Sequence, residues 1–199
     1  IYANTTYHFP YNNYTLTGGN DTFEPKFFST GFRYVEVENF PGELTAENIT
    51  ACFVSDDIEE TGSFTSSNDR LNQVFDMYLQ SQRSNLIGNY TDCPQREKNG
   101  WTGDASVVKE SSTILLNDYT SAEAFMETMM LNTHEDGRPE IIVGVPTTTN
   151  TGAQFDIPWS SAYFVFPYQL YMNTGDTYYI EKSYDSLVKV FDYYKSLDK

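Results

Sequence analysis

The sequence predicts a mainly α fold preceded by a short β-type segment, and three observations carry that reading. The hydrophobic period changes near Phe64, from short alternating runs to helical spacing. The amphipathic stretches after it are joined by mostly short loops, which suits antiparallel helix pairs. The chain of 199 residues also holds 16 Tyr, 14 Phe and 2 Trp. Disordered acidic chains are poor in aromatics, so this one is expected to fold.

The first 22 residues are polar and aromatic without a clear period and receive no assignment. In residues 32–37 (FRYVEV) a strand would put Phe32, Tyr34 and Glu36 on one face and Arg33, Val35 and Val37 on the other. Gly31 reads as a strand boundary, Pro41-Gly42 as a turn, and residues 49–54 (ITACFV) as a second run. A two-stranded ribbon is marginal alone, so these strands are expected to complete or pack on something larger.

After Phe64 the spacing is helical. Ser67 is an N-cap candidate, followed by Leu71, Phe75, Tyr78, Leu79 and Gln82 on one stripe, and Gly88 ends the stretch. Helical composition resumes from about Asp104 to Leu116. Ser121 opens a third helix whose stripe of Phe125, Met126, Met129 and Met130 reads as core packing; Gly137 and Pro139 break it. Residues 134–157 have little regular pattern, and a loop that long is usually functional or mobile. Pro158 suits a helix N1 position, and Pro167 is expected to kink or interrupt that helix. Gly175 and Asp176 read as a C′ glycine and the next N-cap, and Leu187, Val188, Phe191 and Tyr194 mark a last helix. No repeat of 20 to 50 residues supports a solenoid.

Composition narrows the function. Twelve basic against 28 acidic residues give a formal net charge of −16, which repels phosphate backbones and argues against nucleic acid as a partner. No apolar run of about 18 residues exists, so no membrane insertion is expected. Cys52 and Cys93 are too few for a disulfide scaffold, and His8 and His134 have no ligand-spaced companions, so neither a metal site nor a cofactor is expected. Sequons at Asn4, Asn13, Asn20, Asn48 and Asn89, with low cysteine and acidity, make an extracellular or periplasmic location the expectation, with a cytoplasmic one left open.

The residues that carry chemistry are DCPQREKNGWTGD, from Asp92 to Asp104. Asp92, Glu97 and Asp104 are interleaved there with Arg96, Lys98, Trp101 and two glycines, between two helices. Pro94 and the glycines favour an irregular backbone that turns several side chains toward one pocket. Crowded carboxylates in a partly dry site disfavour each other's ionisation, and a protonated carboxyl beside ionised ones is suited to protonating a glycosidic oxygen. The plain alternative is a solvated acidic loop with an Arg96 or Lys98 ion pair.

The run DCPQREKNGWTGDA resembles the signature of the glycoside hydrolase family 78 α-L-rhamnosidases. Residues 23–37 (FEPKFFSTGFRYVEV) are similar to the strand segment preceding their catalytic domain, 62–83 to its first helix, and 171–176 (YMNTGD) to a later helix end. The resemblance implies the first half of an (α/α)6 toroid preceded by a short β-sandwich-derived segment, with the division falling at 1–64 and 65–199. It implies Glu97 as the general acid, Asp92 and Asp104 as binders of the rhamnose hydroxyls, Arg96 and Trp101 as pocket residues, and Trp159 as a stacking tryptophan. The implied reaction is inverting removal of terminal α-L-rhamnose from a rhamnose-containing glycoside or polysaccharide.

The sequence departs from that pattern twice. Trp159 is followed by Ser160, Ser161 and Ala162 where many members have Gly-Asp-Ala, so one sugar-binding carboxylate of the family is missing. The family's general base lies in the second half of the toroid, and Glu140, Glu181 and Asp185 sit in no segment resembling it. The remaining half of the catalytic domain is thus an expected partner, and the rows Phe125, Met129, Met130 and Phe164, Phe166, Tyr168 are expected to face it. The competing expectation is a non-catalytic carbohydrate-binding or surface-assembly protein derived from this fold. Asp92, Glu97, Trp101 and Asp104 are expected to converge on one concave face.

Overall fold

The computed structural model describes residues 11–144 and 155–198. The Asn4 sequon, His8 and the central part of the 134–157 loop lie outside the described residues. The order of elements is α1 (Asp69–Asn85), β1 (Gly100–Trp101), α2 (Thr102–Leu115), α3 (Tyr119–Leu131), β2 (Ile142–Val143), α4 (Ile157–Ser160), α5 (Ala162–Thr174) and α6 (Tyr178–Leu197). The fold is mainly helical, with β1 and β2 forming a small antiparallel sheet. That sheet was not expected, because two residues per strand are too few to leave an alternating pattern.

The upstream segment departs further from expectation. Residues 32–37 and 49–54 sit in no hydrogen-bonded ladder, and Phe32, Tyr34, Val35 and Phe53 are exposed. A strand is stabilised by its neighbour, and among the described residues neither run finds one. The turn at 39–42 does form, with Asn39 and Gly42 both at positive φ. Further along, the chain is tied to the helices: Thr61 N–H donates to the Leu115 carbonyl at 2.8 Å, and Asn117 N–H to the Glu59 carbonyl at 2.7 Å. A Cβ on Gly62 would stand 2.6 Å from Leu115 Cδ2, so that approach requires glycine.

Local capping chemistry places the helix ends. The side chain of Asn68, not Ser67, caps α1 by accepting from Arg70 N–H at 3.0 Å. Ser67 stands one residue too early to reach the first free N–H groups of α1. Asp156 accepts from Trp159 N–H at 3.1 Å and opens α4, with Pro158 in its first turn. Pro167 lies inside α5, and the helical run is instead interrupted earlier, at Ser161. Gly175 closes α5 with φ +70, the left-handed conformation that costs glycine least.

Helix α5 packs on α2, α3 and α6 and is the centre of the bundle. Phe166 on α5 is fully buried, with ring centroids 5.4 Å from Tyr90 and 5.0 Å from Phe125. Burying each such ring stabilises by about 1.5–3 kcal/mol. The faces expected to await a partner are therefore largely covered within this chain: Phe125, Met129 and Phe166 are core. Of those rows Tyr168 is exposed, and so are Val74 and Met77 on α1, Val107 and Ile114 on α2, and Tyr184 and Phe191 on α6.

Beneath the core aromatics lies a charged pair that the residue pattern concealed. Lys109 and Asp118 are both fully buried, with Nζ donating to Oδ1 at 2.9 Å. Asp118 Oδ2 also accepts from the Tyr90 and Ser112 hydroxyls, each at 2.5 Å. Desolvation lowers the Lys109 pKa, and the Asp118 charge opposes that shift.

Candidate active site

The loop between α1 and α2 is closed on itself at its base. Asp92 N–H donates to the Asn99 carbonyl at 3.0 Å, and Asn99 N–H returns to Asp92 Oδ1 at 3.0 Å. Cys93 bridges two of the candidate residues: its thiol donates to Asp92 Oδ2 at 2.9 Å and accepts from Glu97 N–H at 3.1 Å. The C-terminal end of the loop is held by the β1–β2 pairing, where Gly100 faces Val143. A Cβ there would meet the Val143 carbonyl at 2.6 Å and the Asn89 side chain at 2.7 Å.

The Glu97 carboxylate is half-buried and engaged at both oxygens. Oε1 accepts from Arg96 at 3.0 Å and Oε2 from the Trp101 indole N–H at 2.9 Å. The ion pair anticipated for a solvated loop is thus present between neighbours, but the loop is not simply solvated, since Asp92, Glu97 and Trp101 are all half-buried.

A cleft of about 510 Å³ opens beside this loop. Asp92, Asp104 and Trp159 line it together, with Tyr90 and the α1 side chains Gln82 and Asn85. Trp159 Nε1 donates to Asp104 Oδ2 at 3.3 Å. The Trp159 ring lies against Gly103 so closely that a Cβ would stand 2.5 Å from its carbons. Its backbone is pinned by Thr102, whose hydroxyl donates to the Trp159 carbonyl at 2.9 Å.

The six candidates therefore fall into two groups. Asp92, Asp104 and Trp159 share the cleft, whereas Arg96, Glu97 and Trp101 form a cluster outside its lining, joined to the first group through Cys93. Tyr90 and Asn85 are cleft residues that no sequence signal singled out, and Gln82 was read only as part of the α1 stripe, because helix and loop neighbours of this kind carry no motif. Glu140 pairs with His134, Glu181 accepts from the Thr177 hydroxyl, and Asp185 is exposed; none of the three lines the cleft. Ser160 and Ser161, which stand where the family pattern has Gly-Asp, make local bonds: Ser160 Oγ donates to the Asp156 carbonyl at 2.5 Å and accepts from Tyr194 at 2.8 Å, and Ser161 Oγ donates to the Pro158 carbonyl at 2.6 Å. Among the described residues, no group of three or more His, Cys, Asp or Glu could hold a metal ion, and no helix is long and apolar enough to cross a membrane.

The helix pairs thus carry an acidic loop beside a cleft walled by the Trp159 ring. Residues 59–199 match the bacterial alpha-L-rhamnosidase 6 hairpin glycosidase domain, and residues 2–55 match the bacterial alpha-L-rhamnosidase concanavalin-like domain. The chain belongs to the bacterial alpha-L-rhamnosidase family.

An alpha-L-rhamnosidase of Formosa agariphila is 32% identical over 183 residues, covering 88% of this chain and 19% of that protein. One from Alteromonas sp. (strain LOR) is 31% identical over 180 residues, covering 89% of this chain and 19% of that protein. The solved alpha-L-rhamnosidase of Dictyoglumus thermophilum superposes with a TM-score of 0.73 at 28% identity, over 79% of this chain and 18% of that one. The Aspergillus terreus enzyme gives a TM-score of 0.72 at 29% identity, over 80% of this chain and 19% of that one. The chain thus spans about a fifth of the length of the curated relatives it matches.

Proposed function

We propose that this chain supplies the acid side of a glycoside hydrolase that removes terminal α-L-rhamnose from glycosides or polysaccharides by inversion. The observation that carries the reading is the Asp104–Trp159 contact in a cleft also lined by Asp92. A ring face to stack on the sugar and carboxylates to accept from its hydroxyls is a combination that recognises a monosaccharide. Glu97 is the acid, oriented by Trp101.

The reaction then balances simply. Glu97 passes its proton to the glycosidic oxygen as the anomeric carbon–oxygen bond breaks. Water attacks the opposite face of the sugar and loses its proton to a second carboxylate about 6.5–9.5 Å from the first. That carboxylate comes from the part of the relatives' length that this chain does not span. An extracellular or periplasmic location is part of the same reading.

The test uses a protein that carries this chain at the full length of its relatives. It should hydrolyse p-nitrophenyl α-L-rhamnoside and release the β-anomer first, as followed by proton NMR; release of the α-anomer contradicts inversion. Glu97→Gln should lose about 10²–10⁴-fold on a rhamnoside with a poor leaving group. Residues 1–199 alone should show no turnover. A non-catalytic carbohydrate-binding protein is the second reading, favoured by the position of Glu97 outside the cleft lining. It predicts rhamnose binding without turnover at full length.

A further inference from the structure

We propose that residues 28–31, upstream of the helical domain, form a strap that positions the acid loop, with Lys98 as the positioning residue that fastens it. The inference rests on the reading of Glu97 as the acid. It adds that residues matched to the concanavalin-like domain are part of the catalytic apparatus.

Lys98 follows Glu97 directly and has φ +57, a left-handed conformation uncommon for a residue with a Cβ. Such conformations persist where their surroundings hold them. What holds Lys98 is upstream: its ammonium donates to the Ser29 carbonyl and stands 5.2 Å from the centre of the Phe28 ring. Two residues on, Gly31 lies against Gln95, so that a Cβ would come within 2.8 Å of Gln95 Cβ. The Thr30 hydroxyl between these contacts is shielded from solvent. On either side the segment leaves the loop, with Phe27 and Phe32 exposed.

The geometry explains why this contact matters to Glu97. The base of the loop is closed next to Lys98 by the Asp92–Asn99 bonds, and Cys93 Sγ accepts from Glu97 N–H, so the strap is a further hold on the stretch from Gln95 to Lys98, made from outside the loop. The reversal at Lys98 sends its side chain to the strap while the Glu97 carboxylate meets Arg96 and Trp101. Releasing the ammonium frees the backbone next to the acid. A general acid displaced from the leaving oxygen transfers its proton poorly, and the loss grows as the leaving group becomes more basic.

The experiment compares two substrates in the full-length protein: p-nitrophenyl α-L-rhamnoside, whose leaving group needs little protonation, and p-methoxyphenyl α-L-rhamnoside, whose leaving group needs more. Lys98→Met removes the donor, Lys98→Arg keeps one, and Gly31→Val pushes strap and loop apart. Lys98→Met and Gly31→Val should lose about tenfold in kcat on the methoxyphenyl substrate and about twofold or less on the nitrophenyl one. Lys98→Arg should recover most of the difference. The ratio of the two rates does not depend on the fraction of protein that folds. An unchanged ratio in both disruptive variants overturns the strap when Glu97→Gln changes that ratio. If Glu97→Gln leaves the ratio unchanged too, the acid assignment falls, and the strap with it.

Discussion

The indole of Trp159 donates to the Asp104 carboxylate at 3.3 Å while its ring covers Gly103, one residue before that aspartate. Two helix starts 55 residues apart thereby build one wall of the cleft. The ring can lie there only because residue 103 has no side chain.

Gly103→Ala tests that wall. The new Cβ would stand 2.5 Å from the ring carbons and force the indole outward. A small-to-large change of this kind costs about 1–3 kcal/mol. If the ring stacks on sugar, KM for p-nitrophenyl α-L-rhamnoside should rise about tenfold, the equivalent of 1.4 kcal/mol, with kcat nearly unchanged. An unaltered KM would remove Trp159 from substrate binding.

The buried pair Lys109–Asp118 is expected to govern stability. Lys109→Met leaves Asp118 charged and enclosed, which should cost about 3–5 kcal/mol in urea unfolding of the helical domain. Replacing both, as Lys109→Met with Asp118→Leu, should recover a large part of that loss, since no lone charge remains. A double variant no more stable than the single one would show that the hydroxyls around Asp118 matter more than its charge partner.

Stability should fall in alkali, and the sign follows from the tyrosines. Burial, then the Asp118 charge, holds Tyr90 well above its ordinary value of 10.0. Burial likewise raises Tyr163. Above pH 10 the unfolded chain has released these protons and the folded one has not, so stability is fully present below that point and is lost as pH rises toward the folded pKa values. Lys109 acts in the opposite direction, because its pKa is lowered from 10.5 and the unfolded chain binds the extra proton below that value. Tyr90→Phe should therefore flatten the decline in melting temperature between about pH 10 and 11.5.

Expression in a glycosylating host separates the sequons. Asn13, Asn20 and Asn48 are exposed. Asn89 is not equivalent: its side chain fills the space beside Gly100 and Gly144, at 2.7 and 2.9 Å from where their Cβ atoms would be. Peptide mapping of the secreted, folded protein should find Asn89 unmodified. A glycan there would show that the β1–β2 junction is open.

The helices were legible because their determinants are local. The stripe through Phe75, Tyr78, Leu79 and Gln82, the methionine row of α3 and the glycine that closes α5 all act within a few residues along the chain. The motif from Asp92 to Asp104 was equally legible as a unit, since its charges, rings and glycines are contiguous. Residues 32–37 misled for the complementary reason: alternation shows that a segment is able to pair, but the partner strand is not encoded in it.

The amino-acid sequence by itself determined that the chain is mainly helical after Phe64, and that one acidic loop between helices gathers the candidate site residues. Only the tertiary structure decided how that loop is arranged and what it meets. It divided Asp92 and Asp104 from Glu97, set Trp159 over Gly103, enclosed Lys109 with Asp118, and laid Ser29 on Lys98 across 69 positions. Periodicity and capping depend on neighbours a turn away, so they can be read along the chain. A ring seated on a missing Cβ, or an ammonium held by a distant carbonyl, exists only once packing has brought remote segments together.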